Sequence, residues 1–346
     1  MSEVITERDG PVARIRLNRP RQLHALNTAM CEAMIAALDD WRTDDAVRVV
    51  TIDHAEGRGF CAGGDIRMLA ESGAADGVAA RAFFHTEYRL NHRLFTYAKP
   101  TVAFMDGVTM GGGVGLSQPC RHRVATENTR LAMPETGIGL FPDVGAGWYL
   151  SRLPGRMGQF LALTGHRLNG ADCLQLGLAT HYMLSGRLDG VKEWLGERPA
   201  EIAIMLGDSS DVPDDAGILE HQADIDRLFA SDKLEEVLAA LEADGSDFAR
   251  ETLATLATKS PQTMKVSLKL LLDGRTMPTF EDEMRQEYAV ATRVVQRHDF
   301  IEGVRAVIVD KDNAPRWDPA TPEGVSDHLI DRIFAPLPDA EEWSPA

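Results

Sequence analysis

MPETGIGLFPDVGAGWYL, Met133 to Leu150, decides how this chain is read. Glu135 and Asp143 each follow a proline there, amid apolar residues and glycines that carry no other charge. Proline fixes φ and stiffens the turn around each acid. Two carboxyls held near one carbonyl can divide labour, one ionised as nucleophile or base and the other positioning water or a proton. Both residues also have structural uses. Asp143 could cap a helix starting at VGAGWYLSRL, and Glu135 would suit a helix N-terminus through the helix dipole.

Two glycine-rich turns precede this stretch. FCAGGDIRML (Phe60 to Leu69) follows the strand-like VRVVTID (Val47 to Asp53), and DGVTMGGGVGL (Asp106 to Leu116) follows the strand-like TVAFMDG (Thr101 to Gly107). Glycine lets a ligand oxygen approach backbone N–H groups closely. A helix starting near Gly112 would add the partial positive charge of its first amides. One amide from each turn could form an oxyanion hole for a carbonyl. The same glycines could instead serve tight turns or close strand–helix packing. The spacing within Gly111 to Gly115 is not GxGxxG, and the chain has no GxxxxGK, so neither nucleotide loop is supported.

A further carboxylate lies in RAFFHTEYRLNHRLF. Phe83, Glu87, Leu90 and Leu94 recur at intervals of 4, 3 and 4, so Glu87 shares a helix face with apolar residues. Burial there is costly without a partner, and a rim position snorkelling to water fits the spacing equally well. Other nucleophiles are weaker candidates. Ser117 lacks the GxSxG elbow, Cys61 reads as a small packed residue, and the histidines show no ligand spacing, so no metal is expected.

The first half of the chain alternates strand and helix patterns, which indicates an α/β layered core. VARIRLN (Val12 to Asn18) alternates as a strand with an exposed edge would. In TAMCEAMIAALDDW, Met30, Met34, Ala37, Leu38 and Trp41 recur at helical spacing behind Asn27, a candidate N-cap. From about Gly186 the pattern turns mainly helical, interrupted by the polar GDSSDVPDDAG (Gly207 to Gly217). DKLEEVLAALEAD and ETLATLATKSPQTMKVSLKLLL suit amphipathic helices, and NAPRWDPATPEG (Asn313 to Gly324) reads as a turn-rich wrap.

The 346 residues carry a formal charge of −17, which argues against nucleic-acid binding and against docking on anionic membranes. Cys31, Cys61, Cys120 and Cys173 are widely spaced with no CxxC pair, as suits reduced thiols in a cytoplasmic protein. No apolar run approaches bilayer length, and the first residues do not form a secretory signal pattern.

Taken in order, IRLNRPRQLHALN, GFCAGGDIR, KPTVAFMDGVTMGGGVGLS, RLAMPETGIGLFPDVGAGWYLSRL, LTGHRLNGADCLQLGLATHYM and KSPQTMKVSLKLL resemble the crotonase (enoyl-CoA hydratase/isomerase) superfamily over most of the chain. The resemblance implies an α/β fold with a crotonase-like ββα spiral core and a mainly helical C-terminal region. On that basis residues 1–185 are expected to form the core with an acyl-CoA site, and 186–346 the helical region and wrapping tail. A thioester carbonyl would lie between the amides of Gly64 and Gly112, with the adenine end of CoA near the RQLHALN turn.

Within the superfamily, FFHTEY, the GIGLFPDVG run and DFIEGVRAVIVDKDNAPRW (Asp299 to Trp317) are most similar to the 3-hydroxyisobutyryl-CoA hydrolases. That similarity implies functional positions at Glu87, Gly112, Glu135 and Asp143. The expected activity is hydrolysis of a short 3-hydroxyacyl-CoA, most naturally 3-hydroxyisobutyryl-CoA of valine degradation. Glu135 would act ionised, as nucleophile or base, with Asp143 assisting and Glu87 contacting the substrate's hydroxyl end or steadying Glu135. No cofactor is expected beyond the CoA of the substrate. Hydratases of the superfamily place a second glutamate where Gly115 stands here, and usually a glycine where Asp143 stands. An enoyl-CoA hydratase-type lyase and a non-catalytic acyl-CoA-binding protein are the two alternatives. A homo-oligomer is also implied, which the extra helical region could alter.

Overall fold

The computed structural model describes residues 2–213 and 216–345. Asp214 and Asp215, within the polar break, lie outside the described residues. The fold is α/β, as the alternating runs predict. The chain divides into two compact units, each assembled from separated segments. The first comprises Met1–Gly64, Arg89–Ala132 and Arg167–Leu219, and the second comprises Asp65–Tyr88, Met133–His166 and Glu220–Ala346.

The first unit holds the strands: β1 (Val4–Asp9), β2 (Val12–Leu17), β3 (Val49–His54), β4 (Gly59–Cys61), β5 (Thr101–Met105), β6 (Val108–Met110), β7 (His122–Ala125), β8 (Arg130–Ala132) and β9 (His181–Tyr182). Six form a sheet in the order β1-β2-β3-β5-β7-β9, and three form a smaller sheet in the order β4-β6-β8. Successive strands alternate between sheets: β3, β5 and β7 enter the large one, while β4, β6 and β8 enter the small one. That alternation is the strand half of the expected ββα spiral. Its central strands β3 and β5 are buried, and their sequences accordingly read as apolar runs.

The exposed edge expected for Val12 to Asn18 is corrected by the structure. β1 pairs with β2 antiparallel on one side and β3 pairs with it parallel on the other. The arginines alternating along β2 instead reach carboxylates, Arg14 to Asp9 at 3.2 Å and Arg16 to Asp53 at 3.3 Å. β1 is the true edge; only Val4 of VITERD is buried, so its strand pattern is faint. Below the large sheet, Val12, Val49, Val102, Phe104 and Val124 pack against Leu188, Val191, Leu195, Ile202 and Leu206. These last come from helices Leu188–Glu197 and Ile202–Ser209. Each such buried side chain contributes about 1.5–3 kcal/mol relative to exposure. Asn27 caps helix Thr28–Thr43 as expected, accepting the Met30 N–H at 2.9 Å.

The second unit is helical. Pro261–Gly274 packs against Met157–Thr164 and Ala146–Leu150. Ser260 caps the first of these, accepting the Thr263 N–H at 3.1 Å while donating to Asp299 Oδ2 at 2.5 Å. Asp299 also fixes the turn-rich tail, accepting the Asp318 N–H at 2.8 Å.

Candidate active site

Three segments of the second unit each bring one acid. On helix Val78–Phe95, Phe83, Leu90 and Leu94 are buried, and Glu87 is buried with them at 2% exposure. The rim alternative for Glu87 is thereby removed. Glu135 opens the single 3-10 turn Glu135–Ile138 directly after Pro134 and is buried too. Asp143 precedes helix Ala146–Leu150, whose N-cap is Gly145 and which has no side-chain cap of its own. Only the main-chain oxygen of Asp143 accepts the Ala146 N–H, at 3.0 Å. Its carboxylate instead accepts the Tyr88 hydroxyl at 2.8 Å, with both residues buried. Capping is therefore not what Asp143 does.

The three carboxyls feel one another. Burial pushes Glu87 well above the ordinary carboxyl range, and the charges of Asp143 and Glu135 push it further. Burial raises Glu135 strongly as well, reinforced by Asp143 and partly opposed by a backbone hydrogen bond and by Lys259. Asp143 is raised less, to about 6, because the Tyr88 hydroxyl and a backbone N–H stabilise its ionised form against burial. Burial thus opposes ionisation of Glu135 more than that of Asp143, whose charged form Tyr88 supports. Among the described residues, Glu87 Oε1 and Glu135 Oε2 are buried without a hydrogen-bond partner. A buried polar oxygen left in this way carries a desolvation cost that an incoming donor would relieve.

The glycine turns lie in the first unit, where Gly63 and Gly112 approach each other. Gly112 opens helix Gly112–Ser117, so its N–H has no acceptor within the helix. A Cβ built on Gly63 would lie 3.9 Å from the Gly112 nitrogen, and one on Gly113 only 2.2 Å from the Cys61 oxygen. The two turns can approach this closely only because side chains are missing. The RQLHALN turn is laced to the same place: Leu26 N–H donates to Gly63 O at 2.7 Å and Ala62 N–H to Leu23 O at 2.9 Å. Leu23 also lines a cleft of ≈ 640 Å³ with Gly57, Arg58, Asp106, Gly107, Val108, Asn128 and Arg130. Cys61 is buried and its thiol donates to the His24 oxygen at 3.3 Å, as a packed residue would.

Sequence reading missed three residues. Tyr88 stands next to Glu87 and was not singled out. Glu283 and Glu287 lie on helix Phe280–Val294 within FEDEMRQEYAV, which looks like a solvated acidic face, yet both are fully buried. Glu287 accepts the N–H groups of Gly145 at 2.8 Å and Gly147 at 3.2 Å. The signal was available: Phe280, Glu283, Met284, Glu287 and Tyr288 recur at spacings of 3 and 4, the same pattern that marks Glu87.

The family model of enoyl-CoA hydratase/isomerase matches residues 12–334. The chain belongs to the enoyl-CoA hydratase/isomerase family. Among curated members of that family, it is 42% identical to the protein named 3-hydroxyisobutyryl-CoA hydrolase, mitochondrial, of Danio rerio, over 98% of this chain and 91% of the relative. It is 41% identical to the Gallus gallus protein of the same name, over 97% and 89%. Among solved structures, a carnitinyl-CoA dehydratase from Mycobacterium thermoresistibile superposes with a TM-score of 0.94 at 37% identity, covering 99% of each chain. The spiral of this family member is thus the one expected from its motifs. Among the described residues, no helix is long and apolar enough to cross a membrane, and no disulfide joins the four buried cysteines.

Proposed function

We propose that this chain hydrolyses 3-hydroxyisobutyryl-CoA to 3-hydroxyisobutyrate and free CoA, with Glu135 and Asp143 as its working acids. The observation that carries the proposal is the buried trio Glu87, Glu135 and Asp143, with a hydroxyl donor, Tyr88, committed to Asp143. The similarity to hydrolases of that name over nearly the whole chain supports the substrate.

In this proposal the thioester oxygen accepts the N–H groups of Gly64 and Gly112. Charge developing there then meets donors that need not reorient, and one such donor is worth about 2.7–4 kcal/mol in the transition state. Glu135 acts as its carboxylate, and Asp143, whose ionised form the Tyr88 hydroxyl stabilises, is the acceptor suited to a proton that burial favours on Glu135. The Glu135 carboxylate then either attacks the carbonyl carbon, giving an anhydride that water opens, or takes a proton from the attacking water. The C–S bond breaks, and the proton held by Asp143 passes to the departing thiolate. Glu87, with a buried oxygen to satisfy, receives the substrate hydroxyl. The cleft lined by Leu23, Arg58 and Arg130 offers guanidinium groups suited to the phosphates at the nucleotide end of CoA. No cofactor is proposed beyond the CoA that the substrate brings.

Glu135→Gln is expected to abolish thiol release from 3-hydroxyisobutyryl-CoA while the fold persists; full turnover in that variant would remove Glu135 from the mechanism. A lyase is the second reading, favoured by the dehydratase name of the solved relative. Gly115 speaks against it, offering no acid where hydratases carry their second glutamate. Crotonyl-CoA separates the two: loss of enoyl absorbance without free thiol would identify a lyase. CoA binding with no turnover on either substrate would instead mark an acyl-CoA-binding protein. Buried thiols suit a reducing compartment, the cytoplasm as first expected or the mitochondrion named for the relatives, and fractionation decides between them. Homo-oligomerisation is proposed from the resemblance, with light scattering as its test.

A further inference from the structure

Behind Asp143 the backbone takes a form it would not hold unaided. Val144 has φ +55° and Gly145 φ +91°, and the left-handed region is an outlier for a β-branched residue. The helix that follows, Ala146–Leu150, lacks a side-chain cap of its own. Its first N–H groups are met from another helix: Glu287 Oε2 accepts from Gly145 at 2.8 Å and Oε1 from Gly147 at 3.2 Å. The helix Phe280–Val294 is fitted closely to this backbone. A Cβ on Gly145 would lie 2.7 Å from Phe280 Cε2, and one on Gly147 would lie 1.9 Å from Glu283 Oε1.

Glu283, one turn before Glu287, completes the arrangement. Both carboxyls are fully buried, and among the described residues neither oxygen of Glu283 has a donor. Two bare carboxylates in such a place repel and are desolvated, which favours a proton held by the pair. Burial pushes both up, Glu283 to about 8, and the Glu283 charge raises Glu287 further. The other groups facing the pair are Arg152, which favours an ionised Glu283, Asp273, which opposes it, and Asp143, which opposes ionisation of Glu287. Tyr88 faces Glu287 as well as Asp143.

We propose that Glu287, sharing a proton with Glu283, is a positioning residue for Asp143: it clamps residues 143–147 so that the Asp143 carboxyl meets the Tyr88 hydroxyl. This rests on the reading that Asp143 works in the hydrolysis. Loss of the clamp lets the strained turn relax and moves the carboxyl, and a displacement of about 1 Å in a reacting group can cost on the order of a hundredfold in rate.

The test is thiol release from 3-hydroxyisobutyryl-CoA by the full-length wild type, Asp143→Asn, Glu287→Gln and Glu283→Gln, from about pH 5 to about pH 9. In Glu287→Gln the amide NH₂ faces one of the two backbone donors. Its kcat is expected to fall at least about tenfold, with KM changed by less than about threefold. In Glu283→Gln the pair can no longer lose its proton, so the alkaline limb of kcat moves to higher pH. A folded Glu287→Gln enzyme, judged by near-ultraviolet circular dichroism, with wild-type kcat and pH profile overturns the proposal. Should that variant not fold, an unmoved alkaline limb in Glu283→Gln overturns it. Full turnover by Asp143→Asn would sink the underlying reading. An inactive Asp143→Asn beside an unaffected Glu287→Gln would sink only the clamp.

Discussion

Replacing Tyr88 with phenylalanine removes the hydroxyl that donates to Asp143 at 2.8 Å and leaves the rest of the cluster in place. The ring should stay where it is, since its centroid lies 5.8 Å from that of Phe84 and 6.4 Å from that of Tyr288. A hydrogen bond to a charged group is worth about 1.5–3 kcal/mol. At about 1.4 kcal/mol per pH unit, its loss raises the Asp143 carboxyl by roughly 1–2 units. Starting from about 6, the carboxyl moves to roughly 7–8 in the variant. The ionised fraction at neutral pH then drops from about nine-tenths to between about a half and a tenth. The acid limb of kcat, followed by thiol release, should move up by the same 1–2 units, roughly, with activity recovering on the alkaline side. A folded Tyr88→Phe enzyme whose acid limb coincides with the wild type would refute the assignment of that limb to Asp143.

Two further outcomes follow from the same geometry. Gly113→Ala places a methyl 2.2 Å from the Cys61 oxygen, so the glycine turns must separate; kcat should fall by roughly 10²–10³, the cost of losing an oxyanion donor. Wild-type turnover by a folded variant would show that the two turns do not act together. The Glu283 carboxyl, ordinarily at 4.5, is raised to about 8 in the fold. Its favourable contribution is therefore whole below the ordinary value and is lost as pH rises towards about 8. Glu283→Gln, which cannot ionise, should gain stability over wild type across that window, by up to roughly 3–5 kcal/mol. Denaturant melts at the two ends of the window check this, and a pH-independent difference would contradict it.

The spiral was legible because β3 and β5 are buried on both faces and read as apolar runs ahead of the glycine turns. β1 was not, since an edge strand with one buried residue leaves almost no pattern. At the site, residue types and spacing could name Glu87, Glu135 and Asp143 but not their surroundings. Whether Glu87 snorkels or lies buried depends on what covers the helix, which periodicity does not contain. What favours an ionised Asp143 is Tyr88, adjacent to Glu87 in sequence but 55 positions from its partner Asp143. Glu283 and Glu287 were hidden by composition: neighbouring Glu281 and Asp282 are ordinary helix-start acids paired with Arg285, and they make the whole run look solvated. The periodicity that exposes Glu87 applies to that helix without change.

The interleaving of the two units bears on how the chain is made. The strand-bearing unit lacks its last segment until Leu219 has been synthesised, and the helical one until the final third has emerged. Until then Phe83, Phe84 and Tyr88, all buried in the finished molecule, have no partners from the late helices. Nascent polypeptide therefore spends much of translation with aromatic surface uncovered, the circumstance in which chaperone capture or aggregation competes with productive assembly. A premature stop between Leu219 and Glu283 would release a product holding the glycine turns and the first three acids but neither Glu283 nor Glu287.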